Sequence, residues 1–147
     1  MRPKFPVVIS KESDSGDRFK AATSIGSFAD SGRSVRLDLH VIERRYTTAV
    51  LGVRHLLATP PEDGKRDPRL YWLAGDAILS LLDCINDLGF YLHRQNYSLS
   101  RDVGVSQTTI KEMAAFRRRV ASIGQVDPSV PWWKYRDARE RIEGDEE

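Results

Sequence analysis

The chain has 147 residues, formal net charge +2, 40% hydrophobic and 30% charged residues, and one cysteine. That size fits one domain with a real core. The lone Cys84 excludes an internal disulfide and a cysteine-rich zinc site. With no run of 18 apolar residues and no signal-peptide pattern at the start, the chain reads as a cytoplasmic protein with no membrane span.

Residues 1–33 show little periodicity. Phe5–Ser10 reads as a short strand or an extended arm. The Ser-, Asp- and Gly-rich stretches after it read as flexible, so 1–33 is expected to be a flexible N-terminal arm. A helical domain, 34–142, and an acidic tail, 143–147, are expected to follow.

From Ser34 to Ala58 the residues Val35, Leu39, Ile42, Tyr46, Ala49, Val53 and Leu56 recur at spacings of four and three, which predicts a long amphipathic helix. Thr59-Pro60-Pro61 ends it, and Glu62–Arg66 is a polar loop. Asp67 caps the next helix and Pro68 suits its first turn. Tyr71, Ala74, Ile78, Leu81, Ile85 and Leu88 form its apolar stripe, and Gly89 ends or bends it. The two helices are expected to pack on each other. Alternatively, the heptad stripes at 35–56 and 71–88 form a homodimer seam or a docking face for a protein partner.

Residues 98–122 read as a helix-turn-helix. Leu99 and Val103 line the inner face of the first helix, Ser100 is the small residue at the crossing and Gly104 sits in the turn. Ser106 caps the second helix, and Ile110 and Met113 share its inner face. The other face is polar and cationic. Ser106 begins it, and Gln107, Thr108 and Lys111 suit base edges. Arg117, Arg118, Arg119 and Arg101 suit phosphates. Between Arg94 and Ile123 there are six basic and two acidic residues, against a slightly acidic remainder. That local surplus suits a polyanion. The alternative is a helical hairpin with a solvated arginine run. Gly124–Pro131 breaks the chain, and Trp132–Ile142 reads as a short final helix whose tryptophans either anchor it or stack on bases.

From Leu70 onward the chain resembles the helix-turn-helix domain that precedes a PD-(D/E)XK-type nuclease in the YhcG-like family. The matching residues are Tyr71-Trp72, Gly75 and Ile78, then Leu99-Ser100, Gly104, Ser106, Met113 and Phe116-Arg117, and finally Pro131-Trp132 with Tyr135-Arg136. The resemblance covers about residues 70–139. It implies a nucleic-acid-binding or assembly module acting beside a nuclease or mobile-element system.

Catalytic sets are weak. His40 follows Arg36 by four residues and Arg33 by seven, a spacing faintly like that of small helical ribonucleases; the outer polar face of an amphipathic helix accounts for it better. Asp83 and Asp87 share a helix face without a third ligand. Cys84 has no neighbouring cation to activate it. No glycine-rich phosphate loop is present, and no cofactor or metal is implied.

The expected fold is therefore all-α: a bundle of two long amphipathic helices, a helix-turn-helix and a short C-terminal helix. The expected function is non-enzymatic DNA binding, with RNA as an alternative nucleic acid and a protein–protein interaction or oligomerisation module as the alternative function.

Overall fold

The computed structural model describes residues 4–11, 18–23, 35–61 and 66–137. The acidic tail 143–147, the expected end of the last helix and most of the 62–66 loop lie outside the described residues.

Strand β1, Phe5–Lys11, is the middle of a three-stranded sheet of order β2-β1-β3. Strand β2, Phe19–Thr23, pairs with it antiparallel, Ile9 opposite Ala21. Two long helices follow, α1 (Val35–Ala58) and α2 (Pro68–Asp87). Strand β3, Phe90–Leu92, then pairs with β1 in parallel, Phe5 opposite Phe90 and Val7 opposite Leu92. Helices α3 (Gln95–Val103) and α4 (Gln107–Arg119), a 3-10 turn (Ile123–Gln125) and a helical segment at 132–137 complete the described chain.

The all-α expectation is thus corrected: the fold is mixed, a small sheet packed against helices. Strand β1 covers Phe5–Ser10, the stretch that reads as a short strand or an extended arm, whereas β2 falls in the part of 1–33 that reads as flexible and β3 in the link between α2 and α3. The reason is the period-two pattern of a half-buried sheet. Val7 and Ile9 of β1, Phe19 and Ala21 of β2, and Phe90 and Leu92 of β3 are buried, while Val8, Lys20 and Tyr91 between them are exposed. The buried face lies on α1 and α2, where the Phe19 ring meets the Tyr46 ring edge-on at 5.1 Å.

Asp67 accepts from the Arg69 N–H at 2.9 Å and caps α2, with Pro68 in the first turn. Gly89, at φ 89°, turns the chain out of α2 into β3. Helix α1 packs along α2, and both apolar stripes turn into the chain's own core. Val35, Ile42, Tyr46, Ala49 and Val53 are buried, as are Ala74, Ile78, Leu81 and Ile85. Among the described residues, no helix is long and apolar enough to cross a membrane.

Candidate nucleic-acid interface

Helices α3 and α4 are joined by Gly104, Val105 and Ser106. Gly104 adopts φ 89°, a left-handed conformation that costs glycine little, and its N–H closes α3 on the Ser100 carbonyl at 2.9 Å. Ser100 Oγ reaches across the turn to the Val105 carbonyl at 2.5 Å. Ser106 caps α4, its Oγ accepting from the Thr109 N–H at 3.1 Å. Leu99 and Val103 of α3 and Ile110 and Met113 of α4 are buried between the helices and the rest of the core.

A buried polar cluster ties α3 to the body. The Tyr46 hydroxyl donates to Asp102 Oδ2 at 2.5 Å and lies 2.8 Å from Ser98 Oγ, so Ser98 is left as the donor to Tyr46. Arg101 grips the same carboxylate with Nε and Nη2, both at 2.9 Å. Its Nη2 also reaches the Ile9 carbonyl of β1 at 3.0 Å, and Arg54 Nε holds the Asp102 carbonyl at 2.7 Å. Burial, and then the hydrogen bond to Asp102, push the Tyr46 phenol far up; the Asp102 carboxylate holds the Arg101 guanidinium above its usual value. Arg101, expected at a phosphate, therefore joins α3 to the sheet.

Helix α4 is seated on α2 at Gly75, where a Cβ would lie 2.1 Å from the Met113 carbonyl oxygen. Just beside that crossing, Arg117 Nε bonds Asp76 Oδ1 at 2.8 Å, and its guanidinium covers the Trp72 ring at 4.4 Å. Arg119 donates through Nη2 to the Tyr135 carbonyl at 3.0 Å. Phe116 is buried against Trp132 and Tyr135, and Trp132 stacks on Tyr71 at 4.3 Å. Trp132 thus anchors the closing segment, while Trp133 is half exposed.

The expected site residues therefore separate into two groups. Gln107, Thr108, Lys111 and Arg118 stand exposed along α4, with Ser106 at its start. At about 100° per residue, Gln107, Lys111 and Arg118 fall within roughly 40° of one another. Arg101, Arg117 and Arg119 instead make the internal contacts just described. Sequence reasoning missed the Tyr46–Ser98–Asp102 cluster because Tyr46 sits in an apolar stripe. The available signal was Asp102 itself, a carboxylate three residues from Leu99 and next to Val103 on an inward face.

The remaining candidates do not converge. His40 is largely exposed, its Nδ1 3.5 Å from Glu43 Oε2. The cleft beside it is lined by Arg18, Lys20 and Arg44 but not by Arg36, and Arg33 lies outside the described residues. Asp83 and Asp87 are exposed, Cys84 is half-buried, and among the described residues no three potential metal ligands gather. No protein-family model, no curated protein and no solved structure matches this chain.

Proposed function

We propose that the chain binds nucleic acid, duplex DNA first, with α3 and α4 acting as a helix-turn-helix and α4 laid in the major groove. The observation that carries this reading is the outward row of Gln107, Thr108, Lys111 and Arg118 on a helix whose opposite side is wholly spent on packing. A 13-residue helix is about 20 Å long, and a groove roughly 12 Å wide admits it. Gln and Lys at its first turns suit adenine and guanine edges, Thr a thymine methyl, and Arg118 a phosphate. The burial of both heptad stripes favours this reading over docking through those stripes. The YhcG-like resemblance supports a place for it as an accessory to a nuclease or mobile-element system.

The test is fluorescence-anisotropy binding to random duplex DNA at roughly 50 and 200 mM salt. Salt-sensitive binding that weakens in both Lys111→Ala and Arg118→Ala supports the reading. No binding by the parent protein at low salt overturns it.

A further inference from the structure

Strand β2 lies at an edge of the sheet, and its register shows where its backbone groups point. Ala21, opposite Ile9, donates its N–H away from β1, to Glu43 Oε1 of α1 at 3.0 Å. Backbone groups two residues apart on a strand point to the same side, so the Phe19 N–H lies on the same free edge. That edge and the 40–48 stretch of α1 enclose a cleft of about 580 Å³. Arg18, Phe19 and Lys20 line it from the strand side, and Glu43, Arg44 and Thr48 from the helix. The Phe19 ring is buried against Tyr46, so the cleft meets Phe19 at its backbone.

The cleft is electropositive. Glu43 is the one carboxylate among the described lining residues, and it is already engaged: Oε1 takes the Ala21 N–H, and Oε2 lies 3.5 Å from His40 Nδ1. No ion pair holds Arg18, Lys20 or Arg44 among the described residues. Leaving His40 aside, three permanent positive charges against one carboxylate leave two uncompensated. A phosphate monoester carries about −1.5 to −2 at neutral pH and three acceptor oxygens. Two guanidinium forks match such a group, and an outward strand-edge N–H adds a fixed dipole. The bond from Ala21 to Glu43 shows that this edge accepts an anionic oxygen. Together with the edge-on contact of Phe19 and Tyr46 at 5.1 Å, it holds the two walls in place, which lowers the cost of binding. The volume falls within the roughly 300–1,000 Å³ of small-molecule sites.

We propose that this cleft binds a small molecule through its phosphate monoester, with Arg18 and Arg44 on the phosphate oxygens and Lys20 and Thr48 beside them. The proposal does not depend on the nucleic-acid reading. Helix α4 packs on α2 and α3, and no described residue of α3 or α4 lines the cleft.

The test is isothermal titration calorimetry at fixed ionic strength with adenosine 5′-monophosphate as the probe and adenosine as its uncharged counterpart. The parent protein is compared with Arg18→Gln, Arg44→Gln and Lys111→Ala, each checked for unchanged circular dichroism. Both arginines are exposed, so their loss leaves the core intact. The expected result is binding of the monophosphate at least about tenfold tighter than adenosine. Each cleft variant should lose about tenfold or more, one charge-assisted contact apiece, and Lys111→Ala should match the parent. A second arm measures a 5′-phosphorylated oligonucleotide against its 5′-hydroxyl form. A preference for the phosphorylated end that both cleft variants lose, without binding of the monophosphate, keeps the phosphate site but assigns it to a strand end in place of a free small molecule. Binding of neither phosphate, equal binding of adenosine, or affinities unchanged in both cleft variants overturns the proposal. Each of these outcomes leaves the α4 reading to be decided by duplex binding alone.

Discussion

Tyr46 on α1 donates a 2.5 Å hydrogen bond to Asp102 on α3, across 56 residues of sequence. This buried bond sets the position of the helix pair on the body of the protein. The isosteric change Tyr46→Phe removes the donor and leaves the Asp102 carboxylate to Arg101 alone. We expect a loss of about 1–3 kcal/mol in urea unfolding, and an unchanged midpoint would show that the bond contributes nothing net. The phenol is held above its ordinary 10.0 in the folded state. Its contribution is therefore complete below pH 10 and is lost as pH rises toward the folded value, because the unfolded phenol ionises first. Tyr46→Phe should lack that share of the alkaline decline.

Gly75 admits no side chain. A Cβ there would sit 2.1 Å from the Met113 carbonyl oxygen and 3.0 Å from Arg117 Cβ, so Gly75→Ala must push α4 off α2. Overpacking of this kind typically costs about 1–3 kcal/mol, and the backbone position of the clash puts this case at the top of that range. Thermal unfolding of the variant is the measurement, and a midpoint equal to the parent's would mean the two helices are free to separate.

Neighbouring arginines on α4 should behave oppositely. Arg117→Ala removes the Asp76 ion pair and the cover on Trp72. It should cost about 1 kcal/mol of stability, a discounted figure because both charges are partly in water. Arg118→Ala should leave stability within about 0.5 kcal/mol and reduce the salt slope of DNA binding by about 0.9. A stability loss in Arg118→Ala comparable to that in Arg117→Ala would contradict this division of labour.

Asp67 caps α2, and its hydrogen bonds to Arg69 hold the carboxyl below its ordinary 3.8. Its stabilising share is present above pH 3.8 and disappears as pH falls through the lower folded value. Asp67→Ala should cost about 1 kcal/mol at neutral pH. That difference should vanish toward strong acid when chemical unfolding is followed across pH, and a pH-independent difference would rule out the ionised cap as its source.

The long helices were legible because their signals are local. Asp67-Pro68 marks the start of α2, and three- and four-residue spacings mark the buried faces of α1 and α2. The sheet was not. Val7 and Ile9 alternate correctly, but Val8 between them is also apolar, which blurs a period of two. Strand β2 is FKAAT, with one β-branched residue, and β3 has three residues. What makes them strands is pairing across more than 80 residues, Phe5 with Phe90, which no short window contains. The site divided in the same way. The exposure of Gln107, Thr108 and Lys111 followed from helical period, whereas the fates of Arg101, Arg117 and Arg119 depended on Ile9, Asp76 and Tyr135, each distant in sequence.

The parallel pairing of β1 with β3 also orders events during synthesis. The β1–β2 pair is complete once residue 23 is made, but the other edge of β1 waits for Phe90–Leu92. At roughly 5–20 residues per second, that wait lasts some seconds, with an unpaired edge beside growing apolar helices. A version trimmed to begin at Val35 meets the converse problem. It makes every long helix yet leaves Phe90 and Leu92 without the strand that pairs with them, and Arg101 without the Ile9 carbonyl it grips.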